Sequence, residues 1–293
     1  STFLLRWLCL FVCSSPYCCV WLLLTFFLAE DPLKLVRLVS LGGLAVFLYA
    51  PIIVVLGSSF NGPRQMAFPP QDPSINWYAN FFSDPSWTTS LLNSVIIAVT
   101  SSAFATVVAL VTALLMWQRE GKLHQSFVSA VSLPFLLPGI VFAVSISLVT
   151  ASLGLLGSLV GIILGHTALL VAIPLVTVRL GLAQVEQIHV EAAKLMGYSD
   201  RQILTKLVIP IIRPYLVAGA LFALIISMNE YIIAFMVSGF SVETLPIKIY
   251  NSQRYGFEPT LSVGTMVYML FSLVVLSYIA ATGKLWSLLG IKE

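Results

Sequence analysis

One carboxylate in this sequence is conspicuous for its surroundings. Glu230 lies inside the apolar run PYLVAGALFALIISMNEYIIAFMVS, next to Asn229 and three residues after Ser227. A charge there is costly, so such a residue either lines a path for a solute or braces neighbouring helices through hydrogen bonds. A second concentration of polar chemistry is EAAKLMGYSDRQILTKLVIPIIRP, residues 191–214. It carries Glu191, Lys194, Asp200, Arg201, Lys206 and Arg213 in a chain that is only 9% charged. Other chemistry is thinly represented. His124, His166 and His189 are scattered and read as structural, and Cys9, Cys13, Cys18 and Cys19 have no histidine near them. They read as small apolar side chains rather than zinc ligands. Gly121-Lys122 and Gly283-Lys284 lack the upstream glycine and the following Ser/Thr of a P-loop. The chain therefore binds no ATP through a Walker A motif, and no catalytic constellation or metal site is expected.

The elements that position these residues follow from composition. The chain is 59% hydrophobic with a mean hydropathy of +0.99, and its charged fraction is far below the roughly 25% of soluble domains. Continuous apolar runs of about twenty residues point to membrane helices rather than barrel strands. The fold class is all-α polytopic membrane protein, with six spans near 38–58, 91–116, 126–150, 157–178, 214–238 and 261–282. Pro51, Pro134, Pro138 and Pro174 should kink them. Placing residues 117–125 and 179–213 in the cytoplasm puts eleven Lys/Arg inside and three (Arg64, Lys248, Arg254) outside. The C-terminus is then cytoplasmic. Residues 1–30 form an extra hydrophobic segment, residues 31–89 the first span and an outer loop, and residues 90–285 the core. The loop 59–90, with Trp77, Tyr78, Phe81, Phe82 and Trp87, suits the membrane interface and a short helix near 75–83.

The charged segment is patterned as structure. QVEQIHVEAAKLM consists mostly of helix formers, Gly197 can take the left-handed conformation that ends a helix, and Ser199 with Gln202 makes a capping-box pattern. RQILTKLVI then continues as helix until Pro210 and Pro214 reset the chain direction. The expectation is two short amphipathic helices joined by an elbow, more than a connector needs. Such a pair either packs on its own helices or presents a face to a partner.

The spacing Glu191-Ala192-Ala193, three residues, Gly197, nine residues, Leu207-Val208-Ile209-Pro210 resembles the EAA signature of permease subunits of bacterial binding-protein-dependent ABC importers. Leu207 stands for the usual Ile and Ile209 for the usual Leu. The resemblance covers about 38–285, including SFN at 59–61 and LLNS at 91–94, and not the first thirty residues. It implies a six-helix permease core in the bacterial cytoplasmic (inner) membrane, with coupling helices at about 184–210. It implies that Glu191, Ala192, Ala193, Gly197 and Pro210 meet a cytoplasmic ABC ATPase subunit, which uses the ATP and Mg. It further implies a second permease subunit, a periplasmic or lipid-anchored substrate-binding protein, surrounding lipid and no nucleic acid. The chain itself is a transport subunit and not an enzyme.

On a continuous fifth helix, Gly219, Ala223, Ser227, Glu230, Ala234 and Ser238 share a stripe about 100° wide, with Asn229 off its centre. The stripe suits a translocation path, through Ser227, Asn229 and Glu230, or tight helix packing. Gly157, Gly161 and Gly165 give the fourth span a close-contact face, read as internal packing. The loop after the fifth span, with Thr244, Leu245, Pro246, Lys248, Ile249, Tyr250, Gly256 and Pro259, resembles the spermidine/putrescine-type branch and implies a polyamine as cargo. The alternatives are a permease for iron, thiamine or phosphonate and an ion-coupled secondary transporter.

Overall fold

The computed structural model describes residues 32–117, 122–239, 241–256 and 258–281, and their regular structure is entirely helical. Residues 1–30, the expected extra hydrophobic segment, lie outside the described residues. The chain divides into two units, the first ending at Gly57. Its described part belongs to α1 (Pro32–Ser59), apolar and long enough to cross a membrane.

Early in the second unit a loop is tied together by hydrogen bonds. The buried Asn61 accepts from Gln71 N at 2.6 Å and donates to the carbonyls of Pro63 and Gln65. A short helix α2 (Asn76–Ser83) follows, where the aromatic loop leads one to expect it. Then comes α3 (Pro85–Met116), capped by Asp84 through Ser86 N. Its buried residues Ser94, Ala98, Ser101, Ala105, Ala109 and Ala113 recur at helical spacing on one face, while Val99, Phe104, Val107, Val111 and Leu115 are exposed. Small residues inside and large apolar ones outside are the arrangement lipid favours, since packing and not hydrophobic burial joins helices there.

The third and fourth spans are broken. α4 (Lys122–Leu136) and α5 (Gly139–Ser152) meet at a 103° corner, where one kinked span was expected. Pro138 has no N–H for the carbonyl of residue 134 and is extended (ψ 129°), so the helix stops and restarts on its own carbonyl. α6 (Leu159–Leu170) and α7 (Ala172–Leu182) bend by 41°, where Pro174 cannot bond the carbonyl of Leu170. Two more short helices, α8 (Gln187–Leu195) and α9 (Asp200–Ile203), precede a single π turn, Leu204–Val208, which leads into α10 (Ile209–Asn229).

The fifth span is broken too. α10 ends at Asn229, and α11 (Ile232–Ser238) follows after an extended Glu230. Residues 245–255, read from sequence as loop, form α12 (Leu245–Tyr255), and α13 (Pro259–Ala281) supplies the last span. Among the described residues four helices are long and apolar enough to cross a membrane, six if each bent pair counts as one span. At the centre α10 lies against α7 and α3. A Cβ on Gly219 would come within 2.2 Å of Thr177 Oγ1 and 2.8 Å of Pro174 Cα, so only glycine permits that approach. The glycine face of the fourth span is taken up within the chain: Gly161 and Gly165 face Val237 and Ile233 of α11.

Candidate functional site

The elbow at 187–203 is built by local rules. Val190 of α8 is buried with Val185, Ile203 and Val208, and this apolar footing ties the elbow to the core. At the end of α8, Gly197 N donates to Lys194 O at 2.9 Å and Tyr198 N to Ala193 O at 3.1 Å, with Gly197 at φ +84°. These are the two bonds of a Schellman motif, whose left-handed residue glycine fills without strain. Ser199 and Gln202 form the expected capping box, and the ammonium of Lys206 lies 5.5 Å from the Tyr198 ring.

Outward the elbow is apolar and charged together. Glu191, Ala192 and Gly197 are exposed and Ala193 is half-buried. Ile188, Leu195, Met196 and Tyr198 expose 67%, 91%, 70% and 40% of their surface. One expectation needs correcting. Pro210 does not turn the chain: Asp200–Asn229 is one continuous helical run, and the exposed Pro210 sits in the first turn of α10. The π turn explains this, because Ile209 N reaches back to Leu204 O and the ladder shifts where the proline offers no N–H.

The break in the fifth span gathers a second cluster. The Glu230 carboxylate accepts from Ile232 N at 3.0 Å, Ile233 N at 2.9 and 3.0 Å, and Ala234 N at 3.1 Å, capping α11 with its own side chain. His166 Nε2, from α6, stands 3.3 Å from its Oε2. The other ring nitrogen, Nδ1, is 2.8 Å from Ser227 Oγ, which is 2.9 Å from Ser101 Oγ of α3. The continuous stripe inferred from sequence is therefore interrupted, since its geometry assumed a helix through residue 230. Ser227 is buried inside the cluster, and both oxygens of Glu230 accept from backbone donors. Asn229 alone of the three is exposed, bonded through Nδ2 to Ile225 O at 3.0 Å. His166, read from sequence as one scattered histidine, belongs to this cluster. The available signal was its being the sole ionisable group in an otherwise apolar helix, the kind that faces the bundle interior.

At the far end of the fifth span, α12 is pinned to α3. Leu245 N donates to Ser94 Oγ at 2.8 Å, and Asn93 Nδ2 to Glu243 O at 3.0 Å. The LLNS and ETLPIKIY stretches thus form one joint. Beside it a cavity of about 340 Å³ is lined by Trp87, Glu243, Lys248, Asn251 and Glu258 among others. There the Lys248 ammonium sits 3.3 Å from Glu243 and 5.8 Å from the Trp87 ring, while Glu258 pairs with Arg64. A carboxylate and an indole face are the groups that hold an organic ammonium.

Residues 105–283 match the family model described as binding-protein-dependent transport system inner membrane component. The chain belongs to that family. Both the elbow and the helix break fall within the matched residues. The spermidine/putrescine transport system permease protein PotC of Haemophilus influenzae is 29% identical over 233 residues, covering 79% of this chain and 90% of the relative. The putrescine transport system permease protein PotI of Escherichia coli is 25% identical, covering 74% and 79%. Among solved structures, a bacterial ABC transporter involved in the import of the acidic polysaccharide alginate superposes with a TM-score of 0.66 at 20% identity. That likeness covers 88% of this chain and 98% of the other, and it establishes the fold. The chain is thus a multi-pass membrane transport subunit with the ABC importer permease fold. Its EAA residues form a capped, exposed elbow, and its only deep carboxylate among the described residues is structural in its contacts.

Proposed function

We propose that this permease forms half of the path of an ATP-driven importer for a polyamine of the spermidine or putrescine kind. The observation that carries the cargo reading is the likeness to PotC and PotI, which extends over about three quarters of the chain. The elbow is the coupling element. Glu191, Ala192, Ala193 and Gly197 enter a groove of a cytoplasmic ABC ATPase, which binds ATP and Mg. The apolar side chains of Leu195 and Met196, otherwise left in water, gain cover there. Pro210 sits further in, where the π turn Leu204–Val208 accommodates it and lets the elbow continue into α10 as a single lever rather than through a joint. A second permease subunit completes the path, a substrate-binding protein delivers the solute from the opposite side, and the C-terminus lies in the cytoplasm.

Asn229, exposed at the break, faces the path. Glu230 does not meet solute, so a polyamine's first ammonium contact falls to the cavity at Trp87, Glu243 and Glu258, where it competes with Lys248. The test is uptake of labelled spermidine or putrescine into proteoliposomes holding this chain, the ATPase and the second permease, with binding protein outside. Expected is ATP-dependent, vanadate-sensitive uptake. Iron, thiamine or phosphonate taken up in place of polyamine removes the cargo reading, and uptake driven by an ion gradient without ATP removes the coupling reading.

A further inference from the structure

We infer that His166 and Glu230 hold one proton between them, so that the break in the fifth span is a proton-binding site. Counting hydrogens along the buried chain leads there, without any use of the transported solute. Ser101 Oγ lies 2.6 Å from Ile97 O, and in that pair only the hydroxyl can donate. With its single hydrogen spent, Ser101 can only accept from Ser227 across their 2.9 Å contact. Ser227 has then spent its own hydrogen, so across 2.8 Å it is His166 Nδ1 that must donate to Ser227 Oγ. A neutral ring with its hydrogen on Nδ1 would point the Nε2 lone pair at Glu230 Oε2, 3.3 Å away.

That oxygen already accepts from Ile233 N and Ala234 N, and Nε2 has no hydrogen-bond partner among the described residues. Two lone pairs would face one another with the side chains 1% and 11% exposed. A proton on Nε2 turns this opposition into a charge-assisted contact and makes the buried pair net neutral. The pair and its two serines join four elements, since the carboxylate holds the first turn of α11, the ring belongs to α6, and the serines lie on α3 and α10. The proton therefore keeps the half-helix α11 seated on the fourth span.

Other ionisable groups are remote or lie beyond the break. α3, α5 and α11 carry none, α6 carries only His166, and α4 carries Lys122 and His124 in its first turn, away from its corner with α5. α7 and α10 add Arg179, Arg213 and Tyr215 towards the elbow end, and α13 adds Tyr268 and Tyr278. Tyr231 follows Glu230 in sequence, with the Tyr250 ring 5.0 Å from its own and Arg254 on the same helix as Tyr250.

The experiment is 15N NMR of the imidazole nitrogens in the full-length protein in lipid nanodiscs, with His166→Gln assigning the signal. At neutral pH, His166 should carry hydrogen on both ring nitrogens. Ser101→Ala, a mild buried change, frees the Ser227 hydrogen for Nδ1, and the signal should become that of a neutral ring with hydrogen on Nε2. Glu230→Gln, whose amide can donate to Nε2, should give a neutral ring with hydrogen on Nδ1. A wild-type His166 that is neutral at neutral pH, with hydrogen on either nitrogen alone, overturns the inference, as does a Ser101→Ala ring that stays doubly protonated.

Discussion

Gly197→Ala is the sharpest perturbation of the elbow, because its cost can be worked from the backbone alone. Gly197 has φ +84°, and a Cβ added there meets no atom within 4 Å. Sterics therefore contribute nothing, and the penalty is that of placing an L side chain in the left-handed region, about 1–2 kcal/mol. That energy lowers the population of the two-bond Schellman turn roughly 5- to 30-fold relative to open forms. If the ATPase binds only the closed elbow, its apparent affinity falls by up to the same factor, reached in full where open forms dominate. The assay is titration of the purified ATPase against the permease in nanodiscs, alongside uptake. Gly197→Asn, a better left-handed residue, should lose less than Gly197→Ala. Gly154→Ala is the control, since Gly154 has φ +70° and equally open space but lies in the α5–α6 turn. It should leave ATPase affinity unchanged. Equal losses for Gly154→Ala and Gly197→Ala, or none for Gly197→Ala, would refute the reasoning.

Other outcomes follow from contacts elsewhere. Glu230→Ala strips the acceptor from the first turn of α11, and thermal unfolding in nanodiscs should show a loss of about 0.5–2 kcal/mol for the cap alone. Glu230→Gln should keep the solute KM, because its carboxylate accepts from the backbone N–H groups that open α11. Gly219→Ala forces α10 away from Thr177 and Pro174 and should cost about 1–3 kcal/mol by the same unfolding measurement. Ser94→Ala leaves the buried Leu245 N–H without its acceptor, about 1–3 kcal/mol, visible as faster hydrogen exchange across α12 with α10 unaffected.

Local, spaced signals were the legible part of this protein. Gly197, Ser199 and Gln202 act within a few residues of one another, so their pattern contains their geometry, and the Schellman turn and capping box appear where sequence puts them. The apolar runs likewise mark the spans, because lipid demands them at any tertiary arrangement. Breaks inside those runs were less visible. Period-based reasoning carries a helix through Glu230, yet its carboxylate competes for the N–H groups of residues 232–234 and ends one helix to start another. His166 and Ser227 are 61 residues apart, and only the packing of α6 on α10 joins them. α12 was hidden because its polar face resembles loop composition, and its first turn is capped by Ser94, a residue from another helix. Pro210 misled for a comparable reason, since a π turn absorbs the missing donor that sequence rules treat as a stop.

Cross-linking from the tip of the elbow tests the proposed coupling most directly. Met196 is 70% exposed beside Gly197, so Met196→Cys, with the four native cysteines replaced by Ala, should form a disulfide with cysteines placed along the ATPase groove. The yield should change when ATP is bound and again after hydrolysis, and a membrane-impermeant thiol reagent should reach Cys at 196 only from the cytoplasmic side. Labelling from the outer side, or an assembled importer that transports normally with no cross-link at any groove position, would contradict a drive through this elbow.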